Sequence, residues 1–564
     1  MSEIPNTSVD DLLGTRPQRS KKAKKIPLMG PIRINLEAFG VAILAAVLLK
    51  WFCIEAYQIP TSSMQPTLMG DNASGVKDRI LVDKLLQTFR EPKRWDITVF
   101  RYPLQKNQNY VKRIVGMPGD RMVIAGGNIY TIADDDKGHR TYTIQRKPDD
   151  LQEALWKEVY PARRIARNEP TALGLCWASS PSNSFQEDGD TLSTELSGTR
   201  VLYFRDDAGG GFIDQDWDGY PTAVAQAILP KTVPTQAPEI VPDGRLAATV
   251  TADGTLDELA FEFEVNRPGV DKLTFAFAVQ GGQGTLVVRG PNNKIHGQSP
   301  SFPVALAAGA AVRLCFAHVD DQMVAWVGGK EVQRFPCEQW HCREGCIAGG
   351  SYKDGFKFAS GQRVVPQIVA KGKGKVRFAD LVLERDLHYT QWTAPDVVEV
   401  PEGHYYMMGD NTLQSVDSRG WTAITVGVTD DNRIVRPAPP GGTPGVRNVR
   451  GNKRAMPLDR APDRDETPIA MPNEHAIVMI DEYGEILRLQ GDAADRWGER
   501  IAFRDPDAQN GPGEWEAPDT TNAPGISFVP RADIQGRALM VFYPMRPISW
   551  LFGSAWPGRF GFVR

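Results

Sequence analysis

The apolar positions fall into two kinds of pattern. The first is one unbroken run, AFGVAILAAVLLKWFCI, 17 residues from Ala38 to Ile54 with Lys50 the only charge. At about 1.5 Å per residue such a run spans roughly 25 Å as a helix, the short end of a membrane crossing. Lys50 stands near its outer end, where a long side chain snorkels, and Trp51 suits a membrane interface. The second pattern begins after it, with short β-branched runs bounded by Asp, Gly and Pro: ILV in DRILVDKL (78–85), ITVF in REPKRWDITVF (90–100) and YVKRIV (110–115). These predict strands. Alternation puts Tyr110, Lys112 and Ile114 on one face and Val111, Arg113 and Val115 on the other, and MPGD (117–120) predicts the turn that follows.

Period-two alternation returns in LAFEFEV (259–265) and KLTFAFAV (272–279), followed by GTLVVRG, AAVRLCFAHV, QMVAWVGGKEVQRF and KVRFADLVLERDL. WVGGKEV (326–332) predicts a hairpin with a Gly-Gly turn. Many strands separated by turn signals predict a β-sandwich over about 245–390. EALWKEVYPARRIA (153–166) suggests a short helix, 436–474 reads as a Pro-, Gly- and Arg-rich linker, and AIVMIDEYGEILRL (476–489) as a hairpin turning at Tyr483-Gly484. The tail SWLFGSAWPGRFGFVR (549–564) mixes aromatics with Arg559 and Arg564, which suits a membrane interface or a closing strand.

Composition narrows the class. A chain of 564 residues suggests three or four domains, and 53 glycines with 42 prolines favour turns and strands over a helical protein. A net charge of −4 argues against nucleic acid as a partner of the whole chain. The basic stretch RPQRSKKAKK (16–25) precedes the apolar run, so the N-terminus is expected in the cytoplasm and everything after Ile54 outside. A buried core helix fits that basic flank poorly. A cleavable signal peptide is disfavoured because the nearby site after Ala56 has Ile54 at −3. Five of the six cysteines then face an oxidising compartment. The cluster CEQWHCREGC (337–346) lacks CxxC pairs and reads as disulfide-forming rather than zinc-binding.

Ser63 and Lys112 form the candidate catalytic pair. A serine hydroxyl needs an adjacent base at neutral pH, and a lysine serves only when burial among apolar groups lowers its pKa. Pro60 and Pro66 restrict the backbone around Ser63, which suits an exposed nucleophile held rigidly. Taken singly, most loop serines cap turns and most strand lysines face water. No histidine lies near either motif.

PTSSMQPTL, DRILVDKL, REPKRWDITVF, YVKRIVGMPGD and, far downstream, VPEGHYYMMGDNTLQSVDSRGW (400–421) together resemble the ordered motif set of bacterial type I signal peptidases, membrane-anchored Ser/Lys endopeptidases. The resemblance covers about 56–127, 396–421 and 525–544. It implies Ser63 as nucleophile, Lys112 as general base, Thr61 as a hydroxyl donor to the oxyanion hole beside the Ser63 amide, and Ser415 as the serine that orients the lysine. It also implies a structural charge pair of Asp417 with Arg419, and Met64 beside the nucleophile. Gly409, Asp410 and Asn411 would serve packing and turn formation. The implied fold is mainly β: an antiparallel β-barrel-like core behind one transmembrane helix. No metal or cofactor is required. Partners would be secretory preproteins and the lipid bilayer, with the export machinery a further candidate. The implied place is the plasma (inner) membrane, single-pass, catalytic domain outside.

The chain departs from the family pattern by two long insertions, at about 128–395 and 422–524, between motifs. The expected organisation is a basic tail (1–35), an anchor (36–55), core pieces at 56–127, 396–421 and 525–564, and the sandwich within the first insertion. The sandwich resembles concanavalin/laminin-G-like jelly rolls more weakly, and a structural or docking role is the simpler reading. Substrate is expected to lie extended beside strand 78–84. Three other readings remain open: a self-cleaving cytoplasmic regulator, an inactive core that presents the sandwich as a binding module, and a processing peptidase with a narrow substrate set.

Overall fold

The computed structural model describes residues 29–71, 76–85, 89–134, 140–161, 176–188, 191–205, 240–266, 272–337, 363–390, 397–421, 423–435, 437–439, 441–452, 469–471, 476–481, 483, 485–490, 492–493, 500–503, 513–516, 527–545 and 561–563. The basic stretch 16–25, His341, Cys342 and Cys346, and the tail aromatics up to Phe560 lie outside them.

Helix α1 spans Met29–Leu48 and runs into a π-helical turn, Leu49–Cys53. Within it Asn35–Cys53 is long and apolar enough to cross a membrane, and no part of that stretch is buried against the rest of the protein. Its exposed apolar side chains, among them Leu36, Phe39, Leu44 and Trp51, are suited to lipid.

Residues from Glu55 onward form a second compact unit, mainly β. The strands that carry the candidate chemistry are β1 (Ile54–Gln58), β2 (Val76–Asp83), β3 (Ile97–Tyr102), β4 (Gln105–Gly116), β5 (His404–Met408), β6 (Phe528–Pro530) and β7 (Ile534–Met545). They join in one sheet in the order β1-β2-β7-β3-β4-β5-β6. β7, from the far end of the chain, therefore lies between two strands from its beginning. Both faces of the sheet are covered. One carries Ile59, Met64, Leu68, Ile80, Val82, Ile97, Val99 and Val541. The other carries Phe100, Tyr102, Leu104, Ile114, Tyr405, Met407 and Trp421. On that second face Tyr110 stacks on Tyr102 at 4.3 Å, with Trp421 edge-on to both.

The other large assembly is a 13-stranded sheet network around its own apolar core. Its two longest strands, Gly244–Asn266 and Arg363–Arg385, pair antiparallel along their length. The alternation in LAFEFEV appears as the cross-strand pairs Phe261↔Phe277 and Phe263↔Phe275. The opposite face is not simply solvated: Ala260 packs with Ala276 and Val287, and Glu262 is buried against Arg289. The Gly-Gly turn closes Val327↔Lys330 with positive φ at both Gly328 and Gly329, the geometry a two-residue hairpin with native twist needs. Cys176 and Cys337 are buried in this core, and burial pushes the Cys315 thiol up to about 12.

Two local expectations shift and a third is met. The helix near 153–166 is Asp149–Leu155, opened by Pro148 and two acids in its first turn, and Lys157–Tyr160 is already a strand. Within the supposed linker, Val446–Asn452 is a strand paired with Ala423–Thr429, since backbone pairing tolerates a polar sequence. The 476–489 segment is a hairpin, with Ala476–Ile480 paired to Ile486–Gln490.

A buried polar joint ties the large sheet network to a separate four-stranded sheet of Arg121–Ala125, Asn128–Asp134, Arg140–Ile144 and Val398–Glu399. The Lys147 ammonium lies 2.7 Å from Asp320 and 2.8 Å from Asp386, and the Asn128 amide donates to Asp243 at 3.0 Å. Burial first, then the neighbouring Asp320 and Asp386, push the Asp243 carboxyl well above its usual range.

Candidate active site

Ser62–Met64 make one turn of 3-10 helix after the extended Pro60-Thr61. Met64, 1% exposed, anchors that turn in the apolar cluster beneath, so its neighbour Ser63 is held at the surface of the core and half-buried. The segment that follows is tied down by Leu68 N–H to Met64 O (2.9 Å), by Gln65 Nε2 to Gly70 O (3.0 Å) and by Met69 N–H to the Asp78 carboxylate (2.7 Å).

Lys112 comes from β4, opposite Thr98 on β3. It is 3% exposed, between Tyr110 and Ile114 on its own face of the strand. Thr61, Ser63, Met64, Tyr110, Lys112 and Val416 are among the residues that line one cleft of about 430 Å³.

The loop 409–419 closes the back of the cleft and grips the Ser62–Met64 turn through its backbone. The Asn411 N–H donates to Ser63 O at 3.1 Å, and its Nδ2 donates to Ser62 O at 3.0 Å. Gly409 passes so close that a Cβ there would stand 2.6 Å from Ser415 Cβ and nearer still to Ser63 O. Ser415 is 1% exposed, and its Oγ makes no hydrogen bond among the described residues. Asp417 and Arg419 form a fully buried bidentate pair at 2.8 and 2.7 Å, and Asp417 also accepts the Gly409 N–H at 2.9 Å. Burial pushes the Asp417 carboxyl up. The Arg419 guanidinium outweighs it, with Lys112 adding to the effect, and holds the carboxyl below the usual range.

Sequence reasoning assigned Asp410 to turn formation, but in the fold it is a hub. Arg113, on the face of β4 opposite Lys112, donates to Asp410 through Nε at 2.9 Å and Nη2 at 2.7 Å, with both side chains fully buried. Thr67, four residues beyond Ser63, donates to the same carboxylate at 2.6 Å. Burial would raise the Asp410 carboxyl, yet Arg113 keeps it below the usual range. The available signal was Arg113 itself, a charge followed by Ile114 and Val115 in a strand that must be buried. Substrate docking along strand 78–84 fails at Asp78, whose N–H and C=O are taken by Met69 O and Ile59 N–H.

A half-buried hydroxyl and a buried amine lining one cleft, with no histidine among its lining residues, are the parts a serine–lysine hydrolase needs. The family described as "Signal peptidase, peptidase S26" matches residues 32–167 and 359–436. The chain is 40% identical over 106 residues to signal peptidase I of Pseudomonas fluorescens, covering 18% of this chain and 36% of that protein. It is 40% identical over 95 residues to signal peptidase I of Buchnera aphidicola subsp. Acyrthosiphon pisum (16% and 30%), and 34% over 107 residues to that of Leptolyngbya laminosa (18% and 49%). The chain thus spans about a third to a half of the length of these curated relatives. Over these segments the chain is similar to type I signal peptidases of peptidase family S26.

Among solved structures it is similar to the carbohydrate-binding module CBM66 from Bacillus subtilis, at 6% identity and a TM-score of 0.22 over 37% of this chain and 94% of that one. A Bacillus licheniformis beta-glucanase gives 7% identity and 0.23 over 38% and 94%. Likenesses at this level carry no argument about ligand or activity.

Proposed function

We propose that the chain is a membrane-bound serine endopeptidase that removes N-terminal signal peptides from exported preproteins. The observation that carries this reading is the meeting of Ser63 and a nearly fully buried Lys112 in one cleft, on segments that match the signal peptidase family. Neutral Lys112 takes the Ser63 proton as the hydroxyl attacks the scissile carbonyl. It then delivers that proton to the leaving amine. The Ser63 N–H and the Thr61 hydroxyl stabilise the oxyanion, Ser415 orients Lys112, and water releases the acyl-enzyme. Asp417 with Arg419 holds the loop that backs the site.

The N-terminal helix anchors the protein in the plasma (inner) membrane, N-terminus in the cytoplasm, so the cleft meets preproteins as they emerge from the export machinery. The seven-stranded path from β1 to β6 is the barrel-like catalytic core, and the 13-stranded network an inserted sandwich of docking type.

The test is to incubate the detergent-solubilised full chain with a preprotein and map the cut. Cleavage after a small residue at the end of the signal peptide is expected. Ser63→Ala and Lys112→Ala should each fold and cleave nothing, and Lys112→Arg should be equally inactive because guanidinium stays protonated. Full activity in a Ser63 or Lys112 variant refutes the assignment.

A further inference from the structure

Residues between the two sequence motifs reach the loop 409–419 through buried polar contacts. Lys157, on the strand Lys157–Tyr160 that pairs with Arg363–Arg385, is 5% exposed and donates from Nζ to Asp410 O at 3.3 Å. That carbonyl and the Asn411 N–H belong to one peptide unit, and the N–H donates to Ser63 O. A trans peptide is a rigid plane with its C=O and N–H pointing opposite ways. One plane is thus held by Lys157 on one side and holds the nucleophile's carbonyl on the other. Residues 388–390 add to this grip. Tyr389 OH donates to Asp410 at 3.4 Å, Thr412 Oγ1 donates to His388 O at 2.9 Å, and Arg419 donates to Thr390 O and Oγ1 at 3.0 and 2.9 Å.

We infer that Lys157 is a positioning residue for Ser63 that acts through the Asp410–Asn411 peptide. The inference rests on the peptidase reading above. A charged donor on the Asp410 carbonyl polarises the peptide and strengthens the bond its N–H makes to Ser63 O. The segment that carries Lys157 is on this account part of the support of the active site, and excising it removes that support.

Lys157 is also placed to change charge in the working range. Burial first, then the Arg385 guanidinium, lowers it to about 7 against the opposing pull of Asp410 and Asp386, with Arg113 lowering it further. Below that value the donor is an ammonium and above it a neutral amine, a weaker hold on the same carbonyl.

The experiment compares the full-length protein with Lys157→Met in detergent. It reads preprotein cleavage and, separately, the rate at which a small fluorophosphonate labels Ser63. At about pH 6 the variant should show kcat and labelling rate reduced about tenfold with KM unchanged, and the gap should narrow above about pH 8. A melting temperature near the parent's shows that the variant is folded. If Lys157→Met does not fold, Lys157→Gln is read the same way, and failure of both to fold overturns the inference. A folded variant with parental kcat, or one with a deficit independent of pH, also overturns it. A parent that is labelled at Ser63 but cleaves no preprotein refutes the substrate assignment alone, and the labelling rates still decide the role of Lys157. A parent that neither cleaves nor is labelled overturns both.

Discussion

Gly409→Ala tests how the catalytic loop holds the nucleophile. Gly409 needs no unusual backbone angle, so the argument is one of space alone. The added Cβ would meet Ser415 Cβ at 2.6 Å and come nearer still to Ser415 Oγ and Ser63 O. Ser415 is buried, and Ser63 O is held by the Asn411 N–H, so neither gives way freely. Restoring ordinary contact moves the Ser63 backbone by roughly 1 Å. A displacement of that size at a reacting group costs about 100-fold in rate, or about 2.7 kcal/mol in the barrier. The assay is kcat for preprotein cleavage by folded protein, beside Gly536→Ala as a control. A Cβ at Gly536 would meet Val82 at 2.6 Å and Asp83 O at 2.7 Å, a comparable clash between β2 and β7 involving no residue that lines the cleft. The control should lose about 1–3 kcal/mol of stability and keep its kcat. A folded Gly409→Ala protein with parental kcat, or equal kcat losses in the two variants, would refute the claim that this loop places Ser63.

Four further outcomes are expected. Asp410 and Asp417 are held below the unfolded carboxylate value of about 3.9, so their contribution to stability is complete above that value and lost as pH falls through the folded values; urea midpoints should drop steeply only below about pH 4. Removing the partner with Arg419→Met strands a buried carboxylate and should cost about 3–5 kcal/mol at neutral pH by the same measurement. Asp243 has the opposite sign: its carboxyl is pushed up, so its cost grows as pH rises through the folded value, and Asp243→Asn should raise the melting temperature at pH 8 more than at pH 5; a lower value at pH 8 would contradict this. Protease added to sealed cells with an opened outer envelope should digest residues after Ile54 and spare 1–30; the reverse would overturn the membrane orientation.

Whatever depends on near neighbours along the chain was legible in the sequence. The alternation in YVKRIV placed Lys112 and Arg113 on opposite faces of a strand, because successive strand residues must point opposite ways. The Gly-Gly hairpin and the MPGD turn were legible for the same local reason, as only certain residues take those backbone angles. The ordered motifs carried the resemblance to the peptidase family and pointed to Ser63 and Lys112 as the candidate pair. The helix near residue 150 was misplaced by a few residues, since the chain passes into the strand Lys157–Tyr160 straight after Leu155, an end that an apolar pattern does not mark. Sequence could not show that β7 enters between β2 and β3, or that Arg113 and Asp410, 297 positions apart, share a buried ion pair. Nor could it show that Lys157 supports the loop behind Ser63 from 253 positions away. Strand order and buried charge pairing are settled by which surfaces exclude water together once the chain has closed. No periodicity in the sequence encodes that choice, so Asp410 and Lys157 acquire their roles only in the folded protein.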